Sequence, residues 1–176
     1  MTPVDDSVSA LAVRAKARRL KLMAFDVDGI LTDGRLYYGA DGEALKAFHT
    51  LDGHGLKMLA GAGISVALIT GRRSEMVLRR ASELNIQHVI QGREDKGAAL
   101  SALAAELGLQ ADACGYAGDD LPDVDAMQWA ALAFSVPNAH RCAREAADLI
   151  TEQRGGEGAV REICDFILDA RGVRPL

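Results

Sequence analysis

The sequence predicts an α/β fold of three layers, a Rossmann-like and mostly parallel sheet with helices on both faces. Two observations support this. Apolar runs of strand length alternate with segments of helical pattern, which is typical of parallel βαβ units. The apolar runs are also nearly continuous, as expected of strands that are buried on both faces. The 176 residues suffice for one substantial core, and no insertion is long enough for a cap domain.

The elements are predicted in the following order. Residues 1–19 form an N-terminal extension with a short helix from Ser7 to Arg19, whose basic side chains we interpret as a solvated face. The main domain covers 20–171, and a flexible tail covers 172–176. Strands are predicted at 20–27, 64–70, 88–91, 113–117 and 132–136, with a weaker one at 147–151. Helices are predicted at 53–60, 74–84, 96–107, 124–129, 140–145 and 158–170. Residues 35–48 interrupt the alternation, and their Gly-Ala-Asp-Gly turn predicts a β-hairpin.

Composition excludes several classes of function. The net charge of −5 and the pI of about 5.4 argue against a nucleic-acid partner, which usually requires a basic surface. No apolar run is long enough to span a bilayer, and the first ten residues lack the pattern of a signal peptide. The three cysteines are scattered and odd in number, as expected of reduced thiols. We therefore expect a cytoplasmic protein that binds neither nucleic acid nor membrane.

The strongest chemical signal is the acidic pair Asp26 and Asp28, which follows the first strand and precedes Gly29. Because side chains alternate along a strand, both carboxylates would point to the same side. They would repel each other unless a hard cation such as Mg²⁺ offset their charge. The pair suits one Asp as nucleophile and the other as proton donor. A surface turn rich in Asp and Gly is the alternative for so short a motif.

Three further motifs follow later strands, at the sheet edge where open α/β folds bind ligands. Thr70-Gly71-Arg72 offers a hydroxyl and a backbone N–H to an oxyanion, with a simple helix cap as the alternative. Lys96 begins a helix and could meet a phosphate as a point cation, although an isolated lysine is usually just exposed. Residues 118–123 hold three carboxylates that would repel one another without a cation, and a solvated acidic turn is the weaker alternative.

Together the four motifs resemble those of the haloacid dehalogenase-like phosphatase superfamily, over about residues 20–170. The resemblance implies that Asp26 is the nucleophile that becomes an aspartyl-phosphate. Asp28 would protonate the leaving alkoxide and then activate water as a base. It also implies that Mg²⁺ is held by Asp26, the Asp28 backbone carbonyl and Asp119.

The same resemblance implies roles for the remaining motif residues. The phosphoryl oxygens would be held by Thr70, the Gly71 N–H and Lys96. Asp123 would orient Lys96 or metal-bound water, and Asp120 could join it outside the metal ligands. This division of labour suits phosphoryl transfer, which depends on positioning and charge neutralisation more than on elaborate covalent chemistry.

The closer resemblance is to a capless branch, the 3-deoxy-D-manno-octulosonate 8-phosphate phosphatase family, which acts in making the lipopolysaccharide sugar Kdo. It rests on residues 28–34, the hairpin, residues 48–53 and the Gly-rich segment 155–162. It implies a small sugar acid phosphate as substrate. It also implies a homotetramer in which the hairpins associate and neighbours help to close each site. One departure is Leu51, where the family commonly has Arg.

Two arginines and the Gly-rich segment are further candidates for substrate recognition. Arg72 and Arg80 could read the carboxylate or hydroxyls of the sugar acid, since Arg makes bidentate carboxylate contacts. If the predicted helix 74–84 holds, the two arginines lie about two turns apart and could share a face. A solvated helix residue is the alternative for Arg80. Segment 155–162 could reach a neighbouring active site, or be a flexible link to the last helix.

Two alternative functions remain open at the level of sequence. One is the same chemistry on a nine-carbon keto-deoxy sugar acid phosphate, because related capless enzymes share the hairpin and the Gly-rich segment. The other is a non-catalytic oligomeric module that partners a sugar-nucleotide synthetase. The costly carboxylate cluster argues against the second, because a module without catalysis has no need of it.

Overall fold

Eight strands and seven α-helices make up the computed structural model, which describes residues 8–173. The strands are β1 (Leu22–Phe25), β2 (Tyr37–Gly39), β3 (Gly42–Leu45), β4 (Ser65–Thr70), β5 (His88–Gln91), β6 (Cys114–Ala117), β7 (Leu132–Ser135) and β8 (Leu149–Ile150). The helices are α1 (Val8–Arg19), α2 (Thr50–Gly61), α3 (Glu75–Glu83), α4 (Lys96–Glu106), α5 (Val124–Trp129), α6 (Arg141–Ala146) and α7 (Ala159–Ala170). Short 3-10 turns at Ala111–Ala113 and Leu121–Asp123 were not predicted.

Six of the strands form one sheet in the order β5-β4-β1-β6-β7-β8, and all neighbouring strands are parallel. The chain passes from β1 to β4 and β5 on one side, and then to β6, β7 and β8 on the other. The carboxyl ends of β1, β4 and β6 therefore lie side by side where the direction of winding reverses, which is where such sheets bind ligands.

The helices form two groups around the sheet. Helix α7 contacts both α1 and α2, whereas α5 contacts both α4 and α6. Strand β4 is contacted by α2 and by α4, one helix from each group, so this strand is covered on both sides. The largest fully buried side chains, Tyr116, Phe25 and Phe134, come from three neighbouring strands. None of the described helices combines the length and apolar character that crossing a bilayer requires.

The predicted α/β class is confirmed, and the hairpin is confirmed as the antiparallel pair β2 and β3. Within residues 8–173 no cap domain interrupts the sheet. The predicted helix start at Ser7 and residues 174–176 of the predicted tail lie outside the described residues. The division into extension, domain and tail stays a prediction.

Strand β1 is shorter than predicted, four residues where the apolar run suggested eight. Leu20 is buried, yet its N–H donates to the carbonyl of Ala17 and so completes the end of α1. At the other end, the Val27 carbonyl accepts N–H groups from Ile30, Leu31 and Thr32, at 3.4, 2.9 and 3.0 Å. This tight turn takes Val27 out of the ladder although its side chain is buried. Burial alone therefore did not locate the strand ends.

Candidate active site

A cleft of about 360 Å³ opens at the carboxyl ends of β1, β4 and β6. It is lined by residues from each of the four motifs that resemble those of the phosphatase superfamily. The lining residues are Asp26, Asp28, Gly34, Thr70, Gly71, Arg72, Glu94, Lys96, Asp119, Asp120, Pro122 and Asp123. Its volume lies in the range of small-molecule sites, which is roughly 300–1,000 Å³. The motifs, far apart in sequence, therefore meet in one place.

Asp26 and Asp119 face each other across the floor of the cleft. Asp26 directly follows β1 and is buried, with its N–H donating to the Ala117 carbonyl at 2.9 Å. Gly29 allows the close approach of Asp119, because a β-carbon at this position would collide with the Asp119 carboxylate. The φ of +96° at Gly29 is also one that glycine adopts readily. Gly29 is thus required here by both space and backbone conformation.

Lys96 joins the two ends of the carboxylate cluster. Its Nζ lies 2.8 Å from Asp26 Oδ1 and 2.7 Å from Asp123 Oδ1, and its side chain is buried. Burial alone would lower the pKa of Lys96, but the charges of Asp26 and Asp123 outweigh burial, so its pKa is raised. Lys96 is the first residue of α4, as predicted. It is therefore a fixed ammonium group beside the predicted nucleophile.

Asp123 is the anchor of this network. Its Oδ1 accepts from Lys96 and from the phenol of Tyr116 at 2.8 Å, and its Oδ2 accepts the backbone N–H groups of Asp119 and Asp120 at 3.1 Å each. Four donors hold one buried carboxylate, so it orients both Lys96 and the loop that carries Asp119. Tyr116 was not predicted as part of the site, because a tyrosine within an apolar strand is indistinguishable by sequence from an ordinary core residue.

The carboxylates present the donor set of a hard cation. Oxygen atoms of Asp26, Asp119 and Asp123 all lie within 4.8 Å of one another. Burial and the neighbouring charge of Asp123 raise the pKa of Asp26 despite the opposing effect of Lys96. Burial and Asp123 likewise raise the pKa of Asp119 to about 7. One ammonium group thus leaves negative charge uncompensated, and an all-oxygen cluster of this kind suits Mg²⁺. The residues present fit the predicted ion.

The Asp28 carboxylate points away from this cluster and meets the hairpin side of the chain. It forms an ion pair with Lys46, which follows β3, and its Oδ2 lies 3.9 Å from Nε of Arg72. Asp28 lies in the turn after β1, so the predicted strand alternation does not position it. The turn nevertheless brings both carboxylates to the cleft. Lys46 was missed because a lone lysine beyond a hairpin carries no sequence signal.

Glu43 and Arg72 extend the contact between hairpin and cleft. Glu43 lies 3.1 Å from Lys46 Nζ, accepts from the Ser74 hydroxyl at 2.6 Å, and lies 3.6 Å from Nη2 of Arg72. Arg72 also donates to the Tyr38 hydroxyl at 3.1 Å. Its Nε is buried, makes no hydrogen bond among the described residues and faces Asp28, whereas the Arg72 side chain as a whole is 39% exposed and lines the cleft. The hairpin therefore covers one wall of its own chain's cleft.

Thr70 ends β4, as expected, and Gly71 follows it in the cleft lining. The Thr70 side chain is buried. The Thr70 Oγ1 accepts the N–H of Arg72 at 3.3 Å. Helix α3 begins at Glu75 with Ser74 as its N-cap, so the Thr-Gly-Arg motif lies in the preceding loop and is not the helix cap that the sequence left as an alternative. The hydroxyl and the Gly71 N–H remain at the cleft, without the help of a helix dipole.

Arg80 does not line the cleft. Its guanidinium lies over the Phe48 ring at 6.0 Å and beside Gly53, and it pairs with Glu83 at 3.3 Å. The suggested common face with Arg72 is wrong, because Arg72 precedes α3 while Arg80 lies within it on the side facing α2. Asp120 lines the cleft rim and is exposed.

The Gly-rich segment lies against the loop that follows Asp28 in the same chain. The Gly156 N–H donates to the Ile30 carbonyl at 3.0 Å, and a β-carbon at Gly155 would collide with the Gly29 carbonyl. Within the chain, this segment therefore packs against the loop that follows Asp28 and supports it. Its predicted reach into a neighbouring site stays a prediction. Leu51 lies exposed in the first turn of α2.

A parallel sheet with a nucleophile-like aspartate after its first strand, a buried lysine and an acidic cluster defines a haloacid dehalogenase-like hydrolase. The family model of the haloacid dehalogenase-like hydrolases matches residues 88–163. This match covers the part of the chain that supplies Lys96, Asp119, Asp120 and Asp123.

Similar proteins and solved structures narrow this class of hydrolase to one family. The 3-deoxy-D-manno-octulosonate 8-phosphate phosphatase KdsC of Escherichia coli K12 is 42% identical over 160 residues, 91% of this chain and 85% of that protein. The crystal structure of the phosphatase of that name from Moraxella catarrhalis, in complex with magnesium ion, phosphate ion and KDO, is 49% identical, with a TM-score of 0.89. The match covers 91% of this chain and 92% of that one. The cobalt-bound phosphatase of Haemophilus influenzae is 41% identical, with a TM-score of 0.87, over 89% and 92% of the two chains. This chain belongs to the 3-deoxy-D-manno-octulosonate 8-phosphate phosphatase family.

Proposed function

We propose that this protein is a Mg²⁺-dependent phosphatase that hydrolyses 3-deoxy-D-manno-octulosonate 8-phosphate to Kdo and phosphate, in the synthesis of lipopolysaccharide precursors. The observation that carries the proposal is the buried Lys96, which bridges Asp26 and Asp123 at the floor of a cleft also lined by Asp28 and Asp119. Nothing in a purely structural role calls for so many buried charges in one place. Relatives that bear this activity in their names support the substrate.

The chemistry runs in two halves through an aspartyl-phosphate. In the first, a carboxylate oxygen of Asp26 attacks phosphorus, the bond from phosphorus to the sugar oxygen breaks, and Asp28 gives its proton to the leaving alkoxide. In the second, Asp28 takes a proton from water, whose oxygen attacks the same phosphorus. The bond between phosphorus and Asp26 then breaks, which releases phosphate and restores both carboxyl groups.

The remaining residues position the phosphoryl group and balance its charge. Lys96 and the Gly71 N–H, with the Thr70 hydroxyl, hold the phosphoryl oxygens, and Asp123 keeps Lys96 in place. Mg²⁺, when held by Asp26, Asp119 and the Asp28 carbonyl, supplies positive charge that offsets the charge of the transferring group.

Substrate recognition falls to the wall made by the hairpin. Arg72 lines the cleft with a side chain that is 39% exposed, and we assign its guanidinium to the carboxylate or a hydroxyl of the sugar acid. We do not assign Arg80 to the substrate in the cleft of its own chain, because it packs on Phe48 away from that cleft.

We further propose a homotetramer assembled through the hairpins. The hairpin and its flanks expose three large apolar side chains, Leu36, Tyr38 and Leu45. Exposed apolar side chains clustered on a small element mark protein contact sites. Such an assembly would also cover the open side of the cleft, which lacks a cap. The free thiols of Cys114, Cys142 and Cys164 agree with the expected cytoplasmic location.

The experiment that tests the function compares kcat/KM for Kdo 8-phosphate with that for nine-carbon keto-deoxy sugar acid phosphates, in saturating Mg²⁺. We expect at least a tenfold preference for the eight-carbon substrate, which is about 1.4 kcal/mol of difference in transition-state binding. Preference for a nine-carbon compound would show that the proposed eight-carbon substrate is wrong. If no compound of the panel released phosphate, the proposed phosphatase function would be wrong. Asp26→Asn, prepared in parallel, guards against a contaminating phosphatase.

A further inference from the structure

A second group of metal-binding side chains lies at the rim of the cleft, outside the carboxylate cluster of the floor. It consists of Asp120 from the loop after β6, and His140 and Cys142 from the start of α6. Their ligand atoms all lie within 4.8 Å of one another. His140 Nδ1 lies 3.0 Å from Cys142 Sγ and 3.9 Å from Asp120 Oδ1. The chain thus brings together sulfur, nitrogen and oxygen from two separate segments.

The distances from His140 Nδ1 lie close to those that a tetrahedral ion requires. Zn²⁺ takes thiolate at about 2.3 Å and imidazole or carboxylate at about 2.0–2.2 Å, so neighbouring donors lie roughly 3.3–3.6 Å apart. The two separations from His140 Nδ1, 3.0 Å to Cys142 Sγ and 3.9 Å to Asp120 Oδ1, lie less than an ångström outside this range. A mixed sulfur and nitrogen donor set selects borderline-soft ions over Mg²⁺, which prefers oxygen alone. Three protein ligands leave a fourth position for water.

The present contacts of the three residues do not prevent binding. Asp120 Oδ1 accepts the Leu121 N–H at 2.8 Å, but a carboxylate offers about four lone-pair sites. The His140 Nδ1 contact with the Cys142 N–H is long, at 3.4 Å. Cys142 is the one cysteine of the three that is not buried. An ion can therefore reach all three donors from solvent.

The rim group is connected through the backbone to the loop that carries Asp119. The His140 N–H donates to the Asp119 carbonyl at 2.8 Å, and Asp120 is the next residue in the chain. An ion held between Asp120 and α6 would tie this loop down on both sides. The position of the Asp119 carboxylate, and with it the proposed magnesium site, would then depend on whether the rim is occupied.

We propose that Asp120, His140 and Cys142 bind a borderline-soft divalent metal ion such as Zn²⁺, and that its binding lowers the phosphatase turnover of this chain. The ion is distinct from the catalytic Mg²⁺ in its ligands and in its chemistry. The binding claim is independent of the proposed function, whereas the effect on turnover rests on it.

The binding claim is tested by spectroscopy with Co²⁺, in saturating Mg²⁺ so that the oxygen cluster is filled. We expect the sulfur-to-cobalt charge-transfer band of a thiolate ligand, and its loss in Cys142→Ser. Zn²⁺ affinity, measured against a chromophoric chelator, should fall at least tenfold, or about 1.4 kcal/mol, in Cys142→Ser and in His140→Asn. Asparagine retains a helix-capping acceptor at position 140, so the second variant should stay folded. His54→Asn, which changes an exposed histidine on α2, should leave the affinity unchanged.

The absence of the charge-transfer band, or less than a tenfold loss of affinity in Cys142→Ser, would overturn the site. The effect on turnover is tested by adding Zn²⁺ to the Mg²⁺-loaded enzyme and to its Cys142→Ser variant. Inhibition of the parent and resistance of the variant would support the regulatory effect. Equal inhibition of both would overturn it, because Zn²⁺ would then act at the oxygen cluster.

Discussion

Lys46 forms a buried ion pair with Asp28, the residue proposed to give and take the proton in both halves of the reaction. The Lys46 side chain is only 1% exposed and also pairs with Glu43 of the hairpin. Two elements that are separate in sequence, the turn after β1 and the chain after β3, are thus joined at the reacting group. The hairpin therefore positions Asp28 in addition to covering the cleft.

We expect Lys46→Met to slow the reaction according to the leaving group. Without its ion pair Asp28 is poorly held, and general acid catalysis contributes about 10²–10⁴-fold for a basic alkoxide. The first-turnover release of sugar from Kdo 8-phosphate should fall by roughly 10–100-fold, while release of p-nitrophenol, which needs little protonation, should change much less. Lys57→Met, at an exposed lysine of α2, serves as the control. Equal losses with both substrates would contradict the role of Lys46 in proton transfer.

Mg²⁺ should stabilise the fold, because the metal-free cleft crowds carboxylates whose charge Lys96 cannot balance alone. At an Mg²⁺ concentration of 100 times Kd, binding to the native state adds about 2.7 kcal/mol to the free energy of unfolding. Asp119→Asn should remove most of this Mg²⁺-dependent rise in melting temperature without destabilising the metal-free protein. Asp125→Asn, at an exposed residue of α5, should retain the rise. If Asp119→Asn showed the full Mg²⁺-dependent rise in melting temperature, Asp119 would not be a ligand of the metal ion.

Gly155→Ala should distort the loop that follows Asp28. The added methyl group would collide with the backbone carbonyl of Gly29, and overpacking of this kind costs about 1–3 kcal/mol. We expect lower stability in urea unfolding together with lower kcat. Gly61→Ala, in α2 with no atom within 4 Å of the added carbon, should be neutral or up to about 1 kcal/mol stabilising. Wild-type stability and kcat in Gly155→Ala would show that the segment does not support the loop.

Leu45→Lys should weaken the proposed tetramer. Leu45 lies at the end of β3 and is 48% exposed, so a charge there costs little in the single chain but opposes burial between hairpins. We expect a lower molar mass in light scattering at micromolar concentration. Leu78→Lys, on α3 and 43% exposed, should keep the parent mass. A parent protein that is already monomeric, or a variant of unchanged mass, would contradict assembly through the hairpin.

The parts of the site that were predictable are those that parallel topology forces together. Asp26, Thr70 and Asp119 each lie at or just after the carboxyl end of a strand, and the carboxyl ends of parallel strands meet at one edge. Lys96 reached the same edge because it begins the helix after β5. For these residues, knowing the order of strands and helices was nearly enough to place the side chain.

The unpredicted parts depend on packing that no local pattern encodes. Whether the hairpin folds over the cleft is decided by contacts such as that of Ser74 with Glu43, so Lys46 was not foreseen. Which face of α3 meets α2 decides that Arg80 stacks on Phe48 and leaves the cleft. Tyr116 looked like any core residue, and only its bond to Asp123 reveals its part in the site.

The central claim is that Asp26 carries the phosphoryl group, and the most direct measurement is acid quenching of the enzyme during its first turnover with radiolabelled Kdo 8-phosphate and Mg²⁺. We expect label bound to the protein early, located on the peptide that contains Asp26, and lost as free phosphate appears. Asp26→Asn should carry no label and release no phosphate. Phosphate release without any labelled protein, or label that persists in Asp26→Asn, would contradict the account.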